Sequence, residues 1–177
     1  MKAMPYALLV VMVIFGSVTL TSAADDIKQI PSCKYCGMDR HVFAHSRMYV
    51  EYDDGTHEGF CSIHCAAVDL AVNIDKTPKG LFVGDYKTKD LVDAENAVWV
   101  IGGSKPGVMT KRAKWAFKTK EDADAFIKEF GGSPATFEGA MKASYEDMYQ
   151  DSKMIRERRA MKRKAMEEKK ATEQPGK

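Results

Sequence analysis

Two short cysteine pairs constrain this chain more than any other feature of its sequence. The pairs are Cys33-x-x-Cys36 and Cys61-x-x-x-Cys65, and the chain of 177 residues contains four cysteines in all. Pairs at such spacings are typical of a metal site or of a disulfide framework. Either solution requires the fold to bring two turns of the backbone together, because residues 37–60 separate the pairs.

The residues around the cysteines favour a soft metal ion. Met38 follows the first pair after Gly37, and His64 lies within the second pair. Thiolate and thioether sulfur select Cu(I), whereas thiolate with imidazole also suits Zn. The candidate metal ligands on this basis are Cys33, Cys36, Met38, Cys61, His64 and Cys65. A structural disulfide pair is the alternative, with three possible connectivities.

The N-terminus has the pattern of a secretory signal peptide. Lys2 precedes an apolar run at residues 7–15, and Thr21-Ser22-Ala23 supplies small residues for cleavage. The run is short for a membrane span, and Asp25-Asp26 follows at once, so we predict cleavage after residue 23 rather than a signal anchor. The mature chain is then periplasmic or otherwise exported and soluble, in a compartment where disulfides persist.

The mature chain, of about 150 residues, is long enough for one compact domain or two very small ones. We predict a metal-binding body at residues 24–144, made of two units at about 28–80 and 90–140. A tail at residues 145–177 follows it.

The first unit has the pattern of strand, turn, strand and helix. Residues 41–44 and 48–52 are rich in β-formers, and residues 53–55 predict a turn from which 56–60 return as a second strand. Ser62 stands at the N-cap position of a predicted helix over residues 63–72. Such a helix places Cys61 and Cys65 at its N-terminus, where thiolates form more easily.

The second unit repeats this order. Strands are predicted at residues 97–101 and 113–117, and Thr119 is a plausible cap for a helix that Gly131-Gly132 ends. We therefore predict an α+β fold of two related units, joined by a bridge at residues 81–94. Met48, Trp99 and Trp115 are expected in the core, whereas His41, His45 and His57 are expected at the surface.

The tail is strongly basic. Between residues 153 and 170, Lys and Arg outnumber Glu by nine to three, while few large apolar residues are present. We predict a solvated helix or a disordered extension. The functional alternative is contact with an acidic partner or with anionic lipid headgroups.

Several strings of residues carry a resemblance to a known family over about residues 28–140. They are Cys33-Lys34-Tyr35-Cys36-Gly37-Met38, Tyr52-Asp53-Asp54-Gly55, Phe60-Cys61-Ser62-Ile63-His64-Cys65-Ala66, residues 93–103, Val108-Met109, residues 123–126 and Gly131-Gly132. The chain resembles the NosL family, the nitrous oxide reductase accessory proteins. The Cys-Gly-Met and Phe-Cys-Ser strings also resemble short YHS/TRASH-type metal modules.

This resemblance implies a periplasmic chaperone that binds Cu(I) and helps to load the copper centres of nitrous oxide reductase or another cupro-enzyme. It implies an α+β fold of two similar small domains, like that of organomercurial lyase. By position, the candidate copper contacts are Cys36, Met38 and Met109. The expected partners are a cupro-enzyme or a copper transporter.

We predict neither enzymatic activity nor a nucleic-acid partner. The first cysteine pair does not stand between the strand and helix of a βαβ unit, as a thioredoxin-like motif would, and no clear general acid accompanies either pair. The second hypothesis is a structural zinc or disulfide-stapled module that acts through protein interaction and transfers no metal.

Overall fold

The computed structural model describes residues 25–173, and within this range the chain forms four helices and seven strands. The predicted signal peptide lies outside the described residues. The helices are α1 (Asp25–Gln29), α2 (Ile63–Val72), α3 (Lys120–Phe130) and α4 (Phe137–Glu173). The strands are β1 (Met48–Tyr52), β2 (His57–Phe60), β3 (Pro78–Gly84), β4 (Leu91–Asp93), β5 (Val98–Ile101), β6 (Lys114–Phe117) and β7 (Ser133–Ala135). The prediction of an α+β fold is confirmed.

The first antiparallel sheet has the strand order β2-β1-β3-β4. Its centre is the predicted hairpin, in which Met48 pairs with Phe60 and Glu51 with His57. Gly55 adopts a φ of 81° in the turn, a conformation that suits glycine because it has no Cβ. The helix predicted after this hairpin is confirmed as α2, with Ser62 at its N-cap.

Residues 41–44 do not form the predicted strand but belong to a series of turns at 40–46. The Ser46 N–H donates to the Phe43 carbonyl, and the Ala44 carbonyl lies so close to β3 that a Cβ on Gly84 would approach it to 2.0 Å. Tertiary packing therefore overrides the β propensity of this segment.

The predicted bridge at residues 81–94 is also wrong, because both ends of this segment, residues 81–84 and 91–93, belong to the first sheet. Strand β3 pairs with β1, with Met48 opposite Val83, and β4 then pairs with β3. Residues 81–83 are β-formers, and strand β1 of the hairpin offers them an unpaired edge. They therefore extend the sheet at a position where the sequence pattern indicated a linker.

The second sheet has the order β6-β5-β7, with α3 packed against it. The Thr119 side chain accepts a hydrogen bond from the Asp122 N–H at 3.2 Å, and Gly131 caps the end of α3, as predicted. The order strand, strand, helix therefore occurs twice. In each unit the strand after the helix pairs with the first strand of the hairpin, β3 with β1 and β7 with β5. The first sheet differs by its fourth strand, β4.

The sequence predicts a solvated helix or a disordered extension for the tail, and the tail forms a helix, α4. This helix begins at Phe137, before the predicted start of the tail at residue 145. Its first half packs against α2 and β5, whereas residues 156–173 are exposed. Within residues 25–173, no helix combines the length and apolar character that a membrane span requires.

A buried ionic cluster holds α1 to the first unit. The Asp26 carboxylate lies 2.7 Å from Arg40 Nη2 and 3.0 Å from Arg47 Nε, and all three side chains are buried. Arg40 also donates to the Ile30 carbonyl at 2.6 Å and to the Phe60 carbonyl at 3.3 Å. The cluster thus fixes both chain segments that lead into the cysteine pairs.

Candidate metal centre

The first cysteine pair lies on a tight loop closed by its own backbone. The Cys33 N–H donates to the Met38 carbonyl at 2.9 Å, and the Gly37 N–H donates to the Cys33 carbonyl at 2.9 Å. Gly37 has a φ of 70°, which a residue with a Cβ adopts at a cost. The Lys34 N–H donates to the Gly59 carbonyl at the end of β2, so the loop lies beside the second pair.

The second pair lies at the junction between the end of β2 and the start of α2. Cys61 follows the strand directly, and Ser46 Oγ donates to its carbonyl at 2.9 Å. Cys65 lies in the first turn of α2. Ser62 has the extended backbone of an N-cap but makes no side-chain capping hydrogen bond. The N-terminus of α2 by itself favours negative charge on neighbouring sulfur atoms, but its effect is opposed by the other thiols of the site.

The four sulfur atoms form one cluster, with each Sγ within 4.8 Å of the others. Cys36 Sγ lies 3.4 Å from Cys61 Sγ, and Cys61 Sγ lies 3.8 Å from Cys65 Sγ. All four thiols are free. Four thiolates at about 2.3 Å around a tetrahedral metal would lie about 3.8 Å from one another, so the cluster has the dimensions of a metal site.

The cluster is closed on one side and open on the other. Cys33, Cys61 and Cys65 are at most 3% exposed, whereas Cys36 is half-buried. Cys36 is therefore the sulfur through which an ion can enter or leave.

Hydrogen bonding within the cluster separates the acidities of the thiols. Contacts with Cys36, Cys61 and Cys65 lower the pKa of Cys33. The pKa values of Cys61 and Cys65 are raised, first by their hydrogen bonds with Cys33. For Cys36, the bond with Cys33 raises the pKa but those with Cys61 and Cys65 lower it, which leaves a pKa of about 7. The thiols that ionise most easily are therefore those of the first pair, Cys33 and Cys36. The prediction that Cys61 and Cys65 form thiolates more easily at the helix N-terminus is wrong, because hydrogen bonding within the cluster and burial raise their pKa values.

His64 faces α4 and is not part of the sulfur cluster. Its Nδ1 lies 3.6 Å from Asp151 Oδ2, and within the described residues neither atom has a hydrogen-bond partner. Burial lowers the pKa of His64, although the nearby Asp151 carboxylate opposes this effect. The structure thus separates this sequence candidate from the four cysteines.

A cleft of about 530 Å³ opens beside Cys36. Met38 lines it from the first unit and Met109 lines it from the loop before β6. The three copper contacts implied by the sequence resemblance, Cys36, Met38 and Met109, therefore share one cleft. Met109 adopts a φ of 62°, an uncommon conformation for a non-glycine residue, and such strain is often found at functional sites.

Two further residues in this cleft were not sequence candidates, His45 and Met154. His45 is half-buried and not a surface residue, and its ring lies 5.6 Å from that of Trp115 and 5.9 Å from that of Tyr86. Burial and then the Lys89 charge lower the pKa of His45, so its imidazole is neutral near pH 7. Neither residue carries a local signal, because each reaches the cleft only through tertiary packing.

The fold and this site define a class, that of small α+β proteins in which clustered cysteines on two turns lie beside a methionine-lined cleft. The chain belongs to the NosL family, whose sequence model matches residues 24–145. The family prediction is thereby confirmed, and membership agrees with the prediction that the chain is not an enzyme.

No curated protein sequence matches the chain significantly. Among solved structures, the crystal structure of the copper chaperone NosL from Shewanella denitrificans is similar. It is 23% identical in sequence, with a TM-score of 0.49 and coverage of 60% of this chain and 87% of that chain.

Proposed function

We propose that the protein is an exported metallochaperone that binds Cu(I) and delivers it to a cupro-enzyme, with nitrous oxide reductase as the expected client. Membership in the NosL family supports this proposal. The observation that carries it is the position of Cys36, which belongs to the four-sulfur cluster and also lines the cleft with Met38 and Met109.

A chaperone needs ligands that both hold and release the ion. Cys36, Met38 and Met109 supply a thiolate and two thioethers, which are soft donors suited to Cu(I). Because Cys36 is half-buried, an incoming thiolate of the partner can reach an ion held there. Transfer then proceeds by ligand exchange, in which each bond to the partner replaces one bond to this chain and the copper keeps its oxidation state.

The buried sulfurs would have a supporting role in this proposal. Cys33, Cys61 and Cys65 can stabilise an ion at Cys36 or extend its coordination. A cage that used all four cysteines at once would hold the ion too firmly for transfer. We therefore propose that fewer than four cysteines ligate Cu(I) in the transferable state.

The test is a Cu(I) titration of the reduced mature chain against a competing Cu(I) chelator. The Cys36→Ser, Met38→Ala double variant should lose at least about tenfold in affinity. Met161→Leu is the matched control, because Met161 lies on the exposed end of α4. A wild-type affinity no greater than that of the double variant would refute the proposal.

The signal-peptide pattern at residues 1–23 supports the exported location. Expression of the full chain with fractionation would check it. The mature chain should occur outside the cytoplasm and begin near residue 24.

The basic end of α4 supports a partner contact. Residues 156–173 are exposed, and the basic residues of this segment can attract an acidic protein surface or an anionic membrane. A variant with Lys162, Arg163 and Lys164 changed to Glu should lose salt-sensitive binding to the copper client or to anionic vesicles, and the two assays separate these partners.

A structural zinc site is the second candidate function, within an interaction module that transfers no metal. Its supporting observation is the burial of three of the four clustered cysteines, which resembles a closed Cys₄ site. X-ray absorption of the purified protein distinguishes the two. One zinc ion per chain, bound by four sulfur ligands and not displaced by Cu(I), would favour the zinc site. A metal-free protein with both possible disulfides formed would favour the disulfide-stapled module.

A further inference from the structure

We infer that helix α4 completes the copper-binding cleft and that Met154 contributes a third methionine sulfur to it. The inference rests on the proposed Cu(I) function and names a ligand beyond residue 145, where the match to the NosL family model ends. It gives α4 a role in holding copper as well as in contacting a partner.

The position of Met154 differs from that of the methionines farther along α4. Met154 lines the cleft and is 8% exposed, whereas Met161 and Met166 are 63% and 51% exposed. Ile155, Arg158 and Arg159 of the same helix also line the cleft. The helix therefore forms one wall of the cleft together with the cysteine loop and the Met109 loop, and Met154 is its soft donor.

Hydrogen bonds fix this wall to the loop that carries Met109. The Lys111 N–H donates to Asp151 Oδ1 at 3.0 Å, and Asp151 is buried. One turn earlier, Asp147 Oδ2 lies 2.9 Å from Arg112 Nε and 2.6 Å from Lys114 Nζ. Residues 147, 151 and 154 lie on one face of α4 because they are three or four positions apart. The contacts that anchor the helix therefore also set the position of Met154 relative to Met109.

A second contact joins the same wall to the cysteine loop. Arg159 Nη2 donates to the Cys36 carbonyl at 3.4 Å. Helix α4 thus contacts both segments that supply the predicted copper contacts. A thioether held between them is placed to complete the coordination of an ion bound at Cys36, since Cu(I) prefers sulfur ligands.

The competing explanation is that Met154 only fills apolar space, as methionines often do. Met154→Leu separates the two explanations, because leucine has a similar volume and is apolar but has no sulfur. The control is Met161→Leu on the exposed part of the same helix. The Cys36→Ser, Met38→Ala variant reports separately on the proposed function.

The experiment combines chelator competition with NMR of protein labelled at the methionine methyl groups, using Cu(I) as the probe. We expect Met154→Leu to lower the Cu(I) affinity about tenfold, with an unchanged melting temperature of the metal-free protein. The Met154 methyl resonance of the wild type should shift at one equivalent of Cu(I), whereas that of Met161 should not.

The inference would be overturned if Met154→Leu kept the wild-type Cu(I) affinity and the Met154 methyl resonance of the wild type did not shift. In that case, a loss of affinity in the Cys36→Ser, Met38→Ala variant would still support the proposed function. A wild-type chain that fails to bind Cu(I) would overturn both. If Met154→Leu lowers the melting temperature, the methyl resonance of the wild type decides, because that measurement uses the unaltered chain.

Discussion

The Sγ atoms of Cys36 and Cys61 lie 3.4 Å apart, although the two residues are 25 positions apart in the chain. This contact joins one cysteine pair to the other, so the pairs form a single site. A metal ion and a disulfide would therefore compete for the same sulfur atoms.

The first prediction concerns oxidation of this site. Thiolates are the attacking species in disulfide exchange, and the pKa of Cys36 is about 7. Treatment of the metal-free protein with oxidised glutathione should produce a Cys36–Cys61 disulfide, with the glutathione reduced to two thiols. Protein loaded with Cu(I) should react more slowly, because the metal occupies the sulfur. Peptide mass mapping after alkylation measures both rates, and equal rates would contradict the prediction.

The second prediction concerns the pH dependence of Cu(I) binding. Thiols must lose their protons to ligate a metal, so protons compete with the ion below the thiol pKa. With the pKa of Cys36 at about 7, the Cu(I) affinity should fall as the pH drops below 7. One released proton corresponds to about a tenfold loss per pH unit. Chelator competition from pH 5 to 8 measures the slope, and Cys36→Ser should reduce it. An affinity independent of pH would exclude Cys36 as a ligand.

The third prediction concerns Tyr35, which ties the cysteine loop to α2. Its hydroxyl donates to the buried Asp69 carboxylate at 2.7 Å, and its ring stacks on that of Phe60. Tyr35→Phe keeps the ring but removes a hydrogen bond worth about 1 kcal/mol. We expect a lower melting temperature and faster loss of Cu(I) to a chelator, because the loop that carries Cys33 and Cys36 is less constrained.

Tyr149→Phe is the matched control for this change, since Tyr149 is 68% exposed on α4. Identical dissociation rates for wild type and Tyr35→Phe would show that the Tyr35–Asp69 bond does not restrain the metal site.

The fourth prediction concerns the buried carboxylate of Asp26. Asp26→Asn removes the negative charge that faces Arg40 and Arg47 in a buried position. Removing one member of a buried ion pair typically costs about 3–5 kcal/mol. Urea denaturation should show a loss of this size in the free energy of unfolding. Asp124→Asn should change that free energy little, because its pair with Lys120 lies on the surface of α3.

The local elements followed closely from the sequence. The turn residues at 53–55, the Ser62 and Thr119 caps and the Gly131 end predicted the hairpin and the helices α2 and α3, because these signals act over a few neighbouring residues. The errors at residues 41–44 and 81–94 arose where pairing or packing with distant strands decided the conformation.

The amino-acid sequence by itself determined the kinds of donor in this protein, which are two cysteine pairs with Met38 and Met109, and the order of elements in each unit. Only the tertiary structure decided that the four sulfurs meet in one cluster, that His64 faces Asp151 and that His45 and Met154 line the cleft. The physical reason is that donor chemistry belongs to single residues and short motifs. The convergence of donors depends on long-range contacts, such as the Lys111–Asp151 hydrogen bond that fixes α4 to the Met109 loop.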